Sequence, residues 1–150
     1  PINTMNLPTL PIGRHLWIRA TLFTLAAIFA LAARAADPAP LRAGMIGLDT
    51  SHVPAFAKLF NNPKATGDIS GIRIVAGYPG GTDYPASRNR VQGFTDQLRK
   101  MGIEIVETIP QLLEKVDVVL LESVDGRIHL QEAIPVIKAG KPLSRIAPLE

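Results

Sequence analysis

The sequence contains no cysteine, which excludes a disulfide framework, thiolate nucleophiles and cysteine-ligated metals. It also contains no acidic residue before Asp37. Three of its 16 Lys and Arg (Arg14, Arg19 and Arg34) precede Asp37, so from there on 13 basic residues face 13 acidic ones. The formal charge of +3 therefore belongs to the first segment. The neutral remainder gives no electrostatic footing for nucleic acid. Histidine is scarce, with only His15, His52 and His129, and no H-E-x-x-H or similar ligand spacing occurs. No metal site is expected on that basis. Charged residues make up 19% and hydrophobic ones 47% of the 150 residues, which excludes disorder and suits one domain with a core.

What is present begins with a leader. Arg14, His15 and Arg19 make a positive start, Ala20 to Ala33 is an uncharged apolar run, and Ala33-Arg34-Ala35 places small residues where a signal peptidase reads. The run falls short of the roughly 20 apolar residues of a membrane span. Residues 1–36 thus predict a cleaved secretory signal and an exported, periplasmic or extracellular, protein; an uncleaved N-terminal membrane anchor is the alternative. Residues 37–41, with Asp37-Pro38-Ala39-Pro40, read as a linker to a domain over 42–150.

Beyond the linker, short apolar runs alternate with helical periodicity. Strands are expected at Ala43–Leu48, Ile72–Ala76, Ile103–Val106 and Val118–Leu121. The last has no polar residue on either face, as in a strand buried on both sides near the centre of a sheet. Helices are expected from about Pro54 to Phe60, over Val91–Met101 with Gly102 as the C-terminal cap, behind a Thr108–Gln111 capping box, and over Leu130–Ile137. Pro135 should kink the last helix or cost it a backbone bond. Strand and helix in alternation predict parallel pairing with right-handed crossovers. The fold class is α/β, an open, doubly wound, Rossmann-like sheet.

In such sheets ligands bind beyond the carboxyl ends of the strands. The first turn runs Gly47-Leu48-Asp49-Thr50-Ser51-His52 into a helix start, where backbone N–H groups favour an anion. Set against the dinucleotide pattern G-x-G-x-x-G, Gly47 fills the first glycine, Asp49 stands at the second and His52 at the third. A carboxylate at the second position should repel the pyrophosphate and occupy its space. Asp49, Thr50 or Ser51 could equally serve as a plain helix cap. The loop after Leu121 carries Glu122, Ser123, Asp125, Arg127 and His129, with Ser123 or Asp125 as candidate caps of the last helix. In the loop after Ala76, Tyr78, Asp83, Arg88 and Arg90 could meet an adenosine ribose or its phosphate, or simply face solvent.

The order Asp117-Val118-Val119-Leu120-Leu121, a polar loop Glu122 to Arg127, His129 opening a helix, then Ala139-Gly140-Lys141-Pro142, resembles the Gfo/Idh/MocA (glucose–fructose oxidoreductase/inositol dehydrogenase) family. With the Gly47 turn, the resemblance covers about Arg42 to Leu149. It implies an N-terminal Rossmann domain that binds NAD or NADP and a C-terminal domain that supplies much of the substrate site. The implied activity is that of an oxidoreductase acting on a sugar or polyol, and a complete protein could be a homo-oligomer. On this reading the cofactor contacts are Gly47, Asp49, Thr50, Ser51, His52, Glu122, Ser123 and His129. Two departures stand out. The glycine turn is degraded, and the family's Glu-Lys-Pro motif aligns with Ile146-Ala147-Pro148, without its lysine. The chain is therefore expected to be an incomplete, fragmentary form of such an enzyme, inactive alone. The alternative is a non-catalytic module that binds a nucleotide or a sugar.

Overall fold

The computed structural model describes residues 39–145. The leader over 1–36 and the Ile146-Ala147-Pro148 positions lie outside the described residues. Five strands, β1 (Leu41–Ile46), β2 (Ile72–Tyr78), β3 (Glu104–Ile105), β4 (Val118–Leu121) and β5 (Leu143–Arg145), form one sheet in the order β3-β2-β1-β4-β5. Every neighbouring pair is parallel. The domain is a Rossmann-like α/β fold, as the alternation of patterns requires. β4 is interior, paired on both sides, but the middle place belongs to β1.

Side chains alternate across the sheet because a strand has a period of two. Ala43, Met45 and Leu120 pack on one face with Val53 and Ala57 of helix α1 (His52–Phe60). Leu98 of a later helix joins that layer. Ile46, Val119 and Leu121 pack on the other face with Leu112 and Val136. The helices are therefore shared between two faces. After a short helical turn, α2 (Pro85–Arg88), α3 (Val91–Lys100) supplies Leu98 to the first face. α4 (Ile109–Lys115) and α5 (His129–Lys138) supply Leu112 and Val136 to the second.

Local signals set several boundaries. Thr108 and Gln111 form the reciprocal capping box at the start of α4, and Gly102 takes a positive φ of 77° just past α3. α1 begins two residues before Pro54. α5 runs through Pro135 as one helix. The inward face of α5 differs from the apolar pattern, however. Leu130, Ile134 and Ile137 mark the helix but are exposed, Leu130 by 72%. Glu132 and Val136 are the buried positions. Among the described residues no helix is long and apolar enough to cross a membrane.

Candidate functional site

The sheet reverses its winding between β1 and β4: β2 and β3 lie to one side of that pair and β5 to the other. The carboxyl ends of β1 and β4 therefore form the topological switch point, where open α/β sheets place their ligands. The turn after β1 and the loop after β4 meet there. Gly47 has φ +83°, a conformation that disfavours any side chain. A Cβ on it would overlap the Ser123 hydroxyl and come within 2.5 Å of the Ser123 Cα. Glycine at this position thus answers to close packing of β1 against the β4 loop.

Asp49 does not face outward towards a phosphate. It is fully buried, and its Oδ1 accepts a hydrogen bond from the Val124 N–H at 3.0 Å, while Oδ2 has no partner. The expected repulsion across an open turn is replaced by a tie between the two loops. Replacing Asp49 by glycine would free Val124 rather than clear a path to phosphate. The cap reading fares no better for Asp49 or Ser51: Ser51 precedes α1 with no side-chain cap bond. Only Thr50 approaches that role, its Oγ1 lying 3.5 Å from the His52 N–H donor.

Glu122 directly follows β4, with its side chain wholly buried and neither carboxylate oxygen hydrogen-bonded. Burial pushes its pKa up to about 7, because a charge in a low-dielectric site is disfavoured. The nearest cation-forming group is His52, whose Nδ1 lies 3.8 Å from Glu122 Oε2 and whose side chain is 40% exposed. Ser123 donates from Oγ to Glu132 Oε2 at 2.6 Å. Burial also raises the Glu132 pKa, with the Ser123 bond opposing that shift. The His129 Nε2 sits 2.6 Å from the Ser123 carbonyl, a contact that requires the proton on Nε2.

The structure therefore gathers Gly47, Asp49, Ser123 and His129 around the β1 and β4 ends and sets His52 beside Glu122. Ser51 is left exposed and apart from these contacts. It also recruits residues the motifs did not mark. Glu132 lies on the buried face of α5 with Val136, while Leu130, Ile134 and Ile137 are exposed. Thr82 and Gly80 come from the loop after β2. Thr82 Oγ1 donates to Asp125 Oδ2 at 2.7 Å. Arg127 binds both Asp125 and Asp83, reaching Asp83 Oδ1 at 2.7 Å. The Arg127 guanidinium, followed by the Thr82 hydroxyl, holds the Asp125 carboxyl well below the usual carboxylate range. Asp125 also accepts from the Arg127 N–H, capping the short turn that leads into α5. Of the other candidates in the β2 loop, Arg90 donates to the Ala86 carbonyl and Arg88 is exposed. Among the described residues no group of three or more His, Asp and Glu side chains could hold a metal ion.

No protein-family model matches the chain, and no curated protein matches it. A crystal structure from Desulfitobacterium hafniense DCB-2, of a protein described as an NADPH-dependent oxidoreductase, is similar to 71% of this chain at 19% identity with a TM-score of 0.45. This chain spans 26% of the length of that one.

Proposed function

We propose that this domain binds a nicotinamide dinucleotide, NAD or NADP, across the β1/β4 switch point. On this reading it is the cofactor-binding part of an exported oxidoreductase of the Gfo/Idh/MocA type that acts on a sugar or polyol. The observation that carries the reading is the strand order β3-β2-β1-β4-β5, with the Gly47 turn and the start of the nine-residue helix α1 at the point of reversal. That order with a helix N-terminus at the switch point is the arrangement through which dinucleotide folds hold a pyrophosphate. The residues present fit such a group only in part. The uncapped start of α1 at Ser51 is accessible, whereas Gly47 to Thr50 are all buried. The dinucleotide would supply the hydride chemistry. This chain's own contribution is to bind it at the α1 end and the β4 loop.

A second reading is a non-catalytic module for a nucleotide or a sugar. It is supported by the four buried carboxylates, Asp49, Glu122, Asp125 and Glu132, around the switch point. Acceptor-rich surroundings suit hydroxyl donors better than phosphates. Titration calorimetry of the whole chain with NAD, NADP, glucose and inositol separates the two. Weak but saturable binding of a dinucleotide is the expected result. Heat from a polyol, with none from either dinucleotide, would transfer the site to the second reading.

A further inference from the structure

The turn that should meet a pyrophosphate is buried from Gly47 to Thr50; the β4 loop meets Asp49 through Val124, and the end of β2 with the loop after it lies along Gly47 and Leu48. The Gly47 N–H donates to the Tyr78 carbonyl at 3.0 Å and the Leu48 N–H to the Pro79 carbonyl at 2.8 Å. Gly80 follows with φ +60°, so close over the turn that a Cβ on it would lie 3.5 Å from the Gly47 Cα and 3.1 Å from Glu132 Oε1. Two residues on, Thr82 is tied to Asp125 and Asp83 to Arg127, both partners being in the loop after β4. The segment Pro79–Asp83 thus crosses the carboxyl end of β1 from one side of the switch point to the other and is fastened at its far end.

We propose that this segment is a strap that closes the phosphate position of the switch point, latched by Thr82–Asp125 and Asp83–Arg127, and that a dinucleotide must displace it to bind. The proposal rests on the dinucleotide reading above. The Leu48 N–H, a backbone donor of the first turn, is spent on the strap's Pro79 carbonyl in the latched form, while the Gly47 N–H is held by β2 itself through Tyr78. Gly80 and Gly81, both at positive φ, give the strap its bend, a conformation glycine adopts without strain. The latch has unequal halves. Asp125 is buried, so its bond to Thr82 is shielded from water. The Asp83–Arg127 pair is exposed, with Asp83 at 84%, and exposed ion pairs hold weakly. Arg127 has two carboxylate partners when latched. Release of Asp83 leaves it a free guanidinium edge beside the vacated space, in a geometry suited to phosphate. If only the unlatched fraction of molecules binds, the apparent dissociation constant is the intrinsic one divided by that fraction. Weak binding by the parent chain follows directly.

The test is the double substitution Thr82→Val with Asp83→Asn in the whole chain, which unfastens the strap and leaves the Asp125–Arg127 pair intact. Two quantities are read: hydrogen exchange at the Leu48 amide, which the strap's Pro79 carbonyl holds, and the dissociation constant for NAD by calorimetry. Exchange at that amide should rise by about tenfold or more, since local opening governs its protection. NAD should bind more tightly by a similar factor. Unchanged exchange would overturn the latch even if the parent binds NAD, leaving the dinucleotide reading in place. Faster exchange with unchanged or weaker NAD binding would show that the strap does not stand in the ligand's way, and would also overturn it. Faster exchange with no NAD binding by either protein would instead remove the dinucleotide reading, and the strap's role as a gate would fall with it.

Discussion

The two ends of the β1–β4 pair are held by different chemistry. At the amino ends, Arg42 and Asp117 are joined on the surface: the Arg42 guanidinium and N–H both donate to the Asp117 carboxylate. Just above them the pair is dry and apolar, with Ala43, Met45, Val119 and Leu120 packed on both faces. At the carboxyl ends, the buried polar groups include Asp49, Glu122, Ser123, Asp125 and, from α5, Glu132. The amino end keeps its charges in water and its interior free of them. The carboxyl end takes carboxylates out of water and leaves Asp49 Oδ2 and both Glu122 oxygens without partners. A polar group buried without a hydrogen bond costs stability. Among the described residues, that cost is met where the strands reverse their winding, the end at which the ligand site is proposed.

The largest effect should come from carrying the chemistry of one end into the other. Val119 is fully buried between apolar neighbours, and Val119→Asp would bury an unpaired carboxylate there, at a cost of about 4–5 kcal/mol. Urea denaturation measures it. A midpoint equal to the parent's would show that the apolar half of the pair is not what holds the sheet.

Gly47→Ala attacks the junction between the halves. It places a side chain at φ +83° against the Ser123 backbone, and the combined strain and overlap should cost roughly 3 kcal/mol. The same urea assay reads it. A loss below about 1 kcal/mol, the range of an ordinary surface change, would mean that the β4 loop retreats easily and that the close approach is not required.

Glu122→Gln should act in the opposite direction and only at higher pH. The folded pKa of Glu122 is about 7 against an ordinary 4.5. The folded state therefore keeps its proton while the unfolded state loses it, and stability falls as pH rises from about 4.5 through 7. Above that window the ionised group costs roughly 3 kcal/mol. Glu122→Gln should recover most of this at pH 8 and little at pH 4, seen as a thermal midpoint that no longer declines across that range. A parallel decline in both proteins would assign the pH dependence to another group.

Much of the sheet could be read from residue patterns. Val118–Leu121 is a strand with the boundaries its apolar run gives, and the Thr108–Gln111 box opens α4 as its spacing requires. These signals act over a few residues, through backbone periodicity and local capping. The carboxyl-end site was legible only as a set of candidate loops. Asp49 at a glycine position pointed to an exposed charge, yet the side chain turns inward to Val124, 75 residues away in sequence. Glu132 carries no signal, because the spacing that marks α5 as a helix does not say which of its faces meets the sheet.

Residue pattern specifies a parallel α/β domain of alternating strands and helices, with 13 basic residues against 13 acidic ones from Asp37 on. The same alternation directs the search for a ligand site to the loops after β1, β2 and β4. Tertiary structure alone decided which of those loops touch. It buried Asp49 and Glu122 instead of exposing them, and it laid Pro79–Asp83 across the first turn. Hydrophobic periodicity is a property of neighbouring residues. The burial of a carboxylate, or the closing of one loop over another, depends on groups that meet only after the strands have paired in the order β3-β2-β1-β4-β5.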